Sequence, residues 1–177
     1  MTTTSISSRR RLLAQGAALA ALGLGSGLAS AQAPWPNRPV RIVVTFPPGG
    51  APDTIARVLA DKWSQSLGQT FTVENRAGAG GNIGADLVAK APPDGATLIV
   101  GTVGTHAINA ALYPSLPYHH VRDFTPISFV AATPNLLVVN NQVPATNVRE
   151  LIELARRTPL SFGSSGSGTS IHLSGEL

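Results

Sequence analysis

The chain has no cysteine, which excludes disulfides, thiolate metal sites, a cysteine nucleophile and a lipid-modified cysteine. It also has no apolar run of the roughly 20 residues that a bilayer-spanning helix needs. Positive charge is scarcer than the total suggests. The formal net charge is +4 over 177 residues, but Arg9, Arg10 and Arg11 supply three of those charges in a stretch with no acid. The chain beyond residue 31 therefore carries +1, too little to argue for nucleic acid or an anionic membrane as a partner. Catalytic signatures are missing as well. No G-x-S-x-G elbow occurs, and Gly166-Ser167-Gly168-Thr169 lacks the lysine of a P-loop. Gly78-Ala79-Gly80-Gly81-Asn82-Ile83-Gly84 departs from dinucleotide spacing, with no acid about 20 residues on. His119 and His120 are adjacent, so they diverge on any regular element, and neither H-E-x-x-H nor a carboxylate cluster accompanies them. The sequence calls for no cofactor and no metal and shows no catalytic constellation, so the reading is a non-enzyme.

What is present begins with an export signal. Ser8-Arg9-Arg10-Arg11-Leu12-Leu13 is a basic start, Ala17 to Leu28 an apolar stretch, and Ala29-Ser30-Ala31 a small-residue cleavage site. Residues 1–31 read as a signal peptide cut after Ala31. The arginines also resemble a twin-arginine motif with Leu12 for the usual Phe, so the Sec and Tat routes both stay open. The last residues, Ser174-Gly175-Glu176-Leu177, stop inside what reads as a helix with no glycine cap or proline stop. The expectation is a fragment of a longer protein.

Between these ends strand and helix signals alternate. Val40 to Phe46 is a β-branched run closed by Pro47-Pro48-Gly49-Gly50. Ile55, Val58, Leu59, Trp63 and Leu67 fall at helical spacing, with Pro52 at a first helical position and Gly68 at the end. Phe71-Thr72-Val73 and Leu98-Ile99-Val100 are short strands flanking a helix over Ile83 to Ala91. Ile127 to Ala132, Leu136 to Val139 and Ser161-Phe162 read as further strands. Asn147 and Glu150 form a capping box for a helix through Arg157. Tyr113 to Pro126 is polar and Pro-punctuated, suited to a connection between domains. This βαβαβ order predicts an α/β fold with a doubly wound parallel sheet. The expected organisation is a first lobe over 34–132 and the start of a second over 133–177.

Two loops share one design, a strand running into a Gly/Ser-rich turn and then a helix. The first is Pro47 to Asp53 and the second Ser164 to Ser170. At such a turn the first helical amides lack partners and the dipole is positive, so a carboxylate or phosphate can be held there. Ser165, Ser167 and Thr169 offer hydroxyls as caps or as ligand donors. Asp53 reads either as a dipole-stabilised first-turn acid or as an acceptor for a ligand amine or hydroxyl. His172 falls in the first turn of the last helix, where packing or capping competes with a ligand role. Thr102, Thr105 and His106 lie beyond the carboxyl end of the third strand, where open α/β sheets bind ligands.

These residues carry a family resemblance. Phe46-Pro47-Pro48-Gly49-Gly50 with Asp53-Thr54-Ile55-Ala56-Arg57, Val73-Glu74-Asn75-Arg76 with Gly78-Ala79-Gly80-Gly81-Asn82, Thr105-His106-Ala107-Ile108-Asn109, Leu116-Pro117-Tyr118, and Ser164-Ser165-Gly166 with Gly168-Thr169-Ser170-Ile171-His172 resemble the tripartite tricarboxylate transporter receptors, also called the Bug family. The resemblance runs from Trp35 to Leu177. It implies a periplasmic-binding-protein-like (type II) fold of two lobes, the second incomplete here. It also implies a small carboxylate gripped between the two turns, a periplasmic location, and delivery to a two-component membrane permease. Carried over by position, the ligand residues are Gly49, Gly50, Ala51 and Asp53 on one side and Ser165, Gly166, Gly168, Thr169 and His172 on the other. Pro52 departs from the Thr or Ser often found there and removes one amide and one hydroxyl. The alternatives to a working receptor are an exported α/β enzyme fragment and a non-functional truncated receptor.

Overall fold

The computed structural model describes residues 34–177, so the export signal and its cleavage site lie outside the described residues. The order is β1 (Val40–Val44), α1 (Ala51–Leu67), β2 (Phe71–Asn75), a 3-10 turn (Ala79–Gly81), α2 (Asn82–Ala89), β3 (Thr97–Val100), a π-turn (Gly104–Ile108), α3 (Asn109–Leu112), α4 (Val148–Arg157) and α5 (Ser170–Glu176).

The three strands form one parallel sheet in the order β2-β1-β3. The register sets Ile42 beside Val73 and Leu98, and Val44 beside Asn75 and Val100. With neighbours on both edges, β1 is the most buried strand, and its apolar run without strict alternation is what a strand covered on both faces requires. Val40, Ile42 and Val44 point to one face and meet Ala56 and Ala60 of α1 together with Phe71, with Trp63, Val73, Leu98 and Val100 around them. Small residues on the inner stripe of α1 let that helix lie close to the strands. Val43 and Thr45 point to the other face, where α2 crosses β1 and β3. Gly84 of α2 permits this approach, because a Cβ there would stand 2.8 Å from the Arg76 carbonyl and 3.0 Å from Thr45 Cγ2.

The expected helix after the first turn forms, entered through Gly50 and Pro52 and closed by Gly68. The capping box at α4 forms in part. Asn147 Oδ1 accepts the Glu150 amide at 3.0 Å, but the Glu150 carboxylate turns to the amide and hydroxyl of Thr146, at 2.7 and 2.8 Å, rather than to the amide of Asn147.

Three strand expectations fail. Residues 127–132, 136–139 and 161–162 are irregular. A strand is held by the ladder to its neighbour, and among the described residues these runs have no strand beside them. Their apolar side chains stand in the open, with Phe129 83% exposed and Leu136 81%. One anchor holds part of the stretch: Asn135 bonds both Ser170 and Ser174 of α5. The segment 113–126 is irregular as expected, yet it does more than connect. Tyr118 is buried, and Phe124 packs edge-on against His106 and Tyr118. The two adjacent histidines lie on no regular element, and on this irregular backbone the rings of His119 and His120 stack in parallel, 5.2 Å apart.

Candidate functional site

The first turn leaves the carboxyl end of β1 and is braced from beneath by Asp53. Asp53 is 4% exposed. Its Oδ2 accepts the Gly49 amide at 2.9 Å and Arg57 Nε at 3.0 Å, while Oδ1 accepts Arg57 Nη2 at 3.0 Å and Asn75 Nδ2 at 2.9 Å. Asn75 also donates to the Phe46 carbonyl at 3.0 Å, tying the end of β2 to the start of the turn. The Arg57 hydrogen bonds, then the Gly49 amide and Asn75, lower the Asp53 carboxyl from 3.8 to about 2. Each oxygen thus has two donors from within the chain. Gly49 adopts a positive φ of 91°, which aims its amide inward at this carboxylate. Pro52 has no amide, so the unpaired first-turn donors of α1 are those of Gly50, Ala51 and Asp53.

The second turn closes on Thr169. Its hydroxyl donates to the Gly166 carbonyl at 2.8 Å and accepts the His172 amide at 3.1 Å, so it caps α5. The Ser164 hydroxyl accepts the Gly166 amide at 3.3 Å. Ser165 and Ser167 are exposed. His172 Nδ1 is buried with no hydrogen-bond partner among the described residues, and its Nε2 lies 3.8 Å from Glu176.

Beyond β3, Thr105 is fully buried and engaged locally: its hydroxyl accepts the Thr102 amide at 3.1 Å and lies 2.8 Å from His106 Nδ1. Burial, followed by the charge of His120, pushes the His106 pKa down, so the ring is neutral at pH 7. A Cβ on Gly101 would lie 2.6 Å from that ring, so His106 covers the exit from β3. Of the three residues expected here, Thr102 alone has a buried hydroxyl without a partner among the described residues.

The structure brings the second turn against the residues that follow β3, with Gly168 beside Gly104 and Asn109. It also shows residues that received no role from the sequence: Arg57 and Asn75 under the first turn, and Asn82, Asn109 and Tyr118 in a buried polar cluster. The only signal for them was position, because all five stand within the stretches that carry the family resemblance. Among the described residues no group of three or more His, Cys, Asp or Glu is placed to hold a metal.

A parallel α/β sheet with Gly-rich turns beyond the carboxyl ends of its strands places open backbone amides where such sheets bind small ligands, and comparison with known proteins supplies the class. Residues 55–177 match the model of the tripartite tricarboxylate transporter family receptor. A protein encoded in the tcbD-tcbE intergenic region of Pseudomonas sp. (strain P51) is 47% identical over 171 residues, covering 96% of this chain and 50% of its own length. The solved structure of R. palustris Rpa4515 with adipate aligns with a TM-score of 0.76 at 45% identity, covering 81% of this chain and 48% of that one. MatC (Rpa3494) from Rhodopseudomonas palustris with bound malate aligns at 0.66 and 42% identity, covering 69% and 42%. The chain belongs to the tripartite tricarboxylate transporter receptor family, a family of solute-binding receptors. It spans about half the length of the curated relatives it matches.

Proposed function

We infer that the protein is a periplasmic receptor that binds a small dicarboxylate or related organic acid and delivers it to a two-component membrane permease, without transforming it. The observation that carries this reading is the first turn. Asp53, Arg57 and Asn75 fix its backbone while the amides of Gly50 and Ala51 remain free of intrahelical partners. One carboxylate of the ligand lies against those amides at the positive end of α1. The exposed hydroxyls of Ser165 and Ser167 contact it from the second turn. The two solved relatives hold adipate and malate, acids with two carboxylates, which suits a grip from two turns.

This reading sharpens the role of several residues. Asp53 and Thr169 work as braces, because their polar atoms are engaged within the chain. A ligand carboxylate beside Asp53 is tolerated because Arg57 offsets that charge. The test is a thermal-shift panel on the purified protein with malate, adipate and other C4–C6 acids, against sugars and amines as controls. At an acid concentration of about 100 times Kd, stabilisation of about 2.7 kcal/mol is expected. A folded protein that no acid in the panel stabilises would refute the carboxylate reading.

A further inference from the structure

Asn109 opens α3 and is fully buried. Its Nδ2 donates to the Gly80 carbonyl at 3.0 Å and to Asn82 Oδ1 at 2.6 Å. Tyr118 Oη lies 2.9 Å from the same Asn82 oxygen and 2.8 Å from the Thr105 carbonyl. The other end of the Asn109 amide differs. Its Oδ1 is buried and accepts no hydrogen bond among the described residues.

That oxygen faces the second turn. A Cβ built on Gly168 collides with Asn109 Oδ1 and comes within 3.2 Å of Leu112 Cδ2, and Gly168 holds a φ of +85°. Only glycine satisfies both conditions, so a Cα hydrogen takes the place beside the oxygen. The backbones on either side are equally close. A Cβ on Gly80 collides with the Ser167 carbonyl, and one on Gly104 stands 3.1 Å from the Gly168 carbonyl. Tyr113 adds a hydroxyl donor to the Ser167 carbonyl at 3.4 Å. At its far end the seam reaches the first turn. A Cβ on Gly81 would lie 2.6 Å from Thr105 Cγ2 and 3.1 Å from Thr45 Oγ1, and Thr45 stands two residues ahead of Pro47.

We propose that Asn109 is a positioning residue that seats Gly168 against the 80–82 turn and so sets the second ligand turn relative to the first. Gly80 and Gly81, which Asn109 holds by the Gly80 carbonyl, are the bridge between Ser167 on one side and Thr45 on the other. The proposal rests on the carboxylate-binding reading, in which both turns grip one ligand and their spacing sets the affinity.

The experiment compares Asn109→Ala, Gly168→Ala and the double variant with Val40→Ala, a core change at the amino end of β1 on the sheet face that meets α1 rather than the seam. Malate and adipate binding is measured by titration calorimetry, melting temperature by calorimetric scanning, and amide exchange on peptides covering residues 165–173. Each seam variant is expected to lose about tenfold in affinity, and the double variant no more than the stronger single one, as residues in one network do. Val40→Ala lowers the melting temperature but leaves affinity within about twofold, as a change at a distant and independent site should. Seam variants that bind like the parent overturn the proposal, and so does affinity that simply follows melting temperature across all four proteins. Should the parent bind no acid, the carboxylate reading falls while the seating is still judged. Exchange at 165–173 that rises in Asn109→Ala and not in Val40→Ala supports it, and equal exchange in both overturns it. If Asn109→Ala does not fold, Gly168→Ala decides by the same readouts.

Discussion

Residues 40–112 and residues 127–163 have similarly apolar runs and opposite fates. In the first region Val40, Ile42, Val43 and Val44 are all but inaccessible, because β1 has a strand on each side and a helix over each face. In the second, Ile127, Phe129, Leu136, Leu137 and Val138 are more than half exposed, and α4 buries none of its residues. The difference does not lie in composition. Burial of a strand is a property of its neighbours, and among the described residues only the first region has them. The same contrast holds between the two turns. The first is braced by a carboxylate with four internal donors, whereas the second is held by the Thr169 cap, the Ser164 and Tyr113 hydroxyls and close glycine contacts beside Asn109.

Three substitutions test that contrast. The largest expected effect is Ile42→Ala, which removes a buried side chain from the centre of the sheet and should cost about 2–5 kcal/mol in denaturant unfolding. A loss below 1 kcal/mol would mean that the sheet is not the stable part of the molecule. Next comes Asp53→Asn, which tests whether the first turn is held by charge. Asp53 has a depressed folded pKa, so its contribution is fully present above the unfolded value of 3.8 and is lost as pH falls through about 2. The parent should lose stability across that window, and the asparagine variant should be less stable at pH 7 and flatter below pH 4. Identical pH profiles would remove Asp53 from the bracing role. The smallest effect is expected for Leu137→Ser, within about 0.5 kcal/mol, because a side chain already in water loses little. A cost near that of Ile42→Ala would show that residues 136–139 are packed in solution and would erase the distinction between the regions.

Much of the first region was legible in the sequence. Pro52 and Gly68 bracketed α1, the β-branched run at 40–44 announced the central strand, and Gly49-Gly50 marked the turn. Local chemistry sufficed there because each signal was a backbone preference acting within a few residues. Asn147 as the cap of α4 was legible for the same reason. The strands expected at 127–132, 136–139 and 161–162 were not reliable, since an apolar run states a capacity to pair and not the presence of a partner. Residues 57, 75, 82, 109 and 118 stayed without a role because polar side chains carry no periodicity. Arg57 pairs with Asp53 four positions away, but the others act through contacts 13 to 36 positions apart, such as Tyr118 with Thr105 and Asn82.

The sequence alone determined the parallel α/β class, the two Gly-rich turns and the family likeness, for these follow from backbone propensity and local spacing. Tertiary structure decided what each polar group is free to do. Asp53 and Thr169 are ligand candidates by position, and the fold engages both internally. Asn109 is unremarkable by position, and the fold sets its amide between Gly80 and Gly168. A hydrogen bond is satisfied by whichever donor or acceptor comes within about 3 Å, and only the folded chain settles which groups those are.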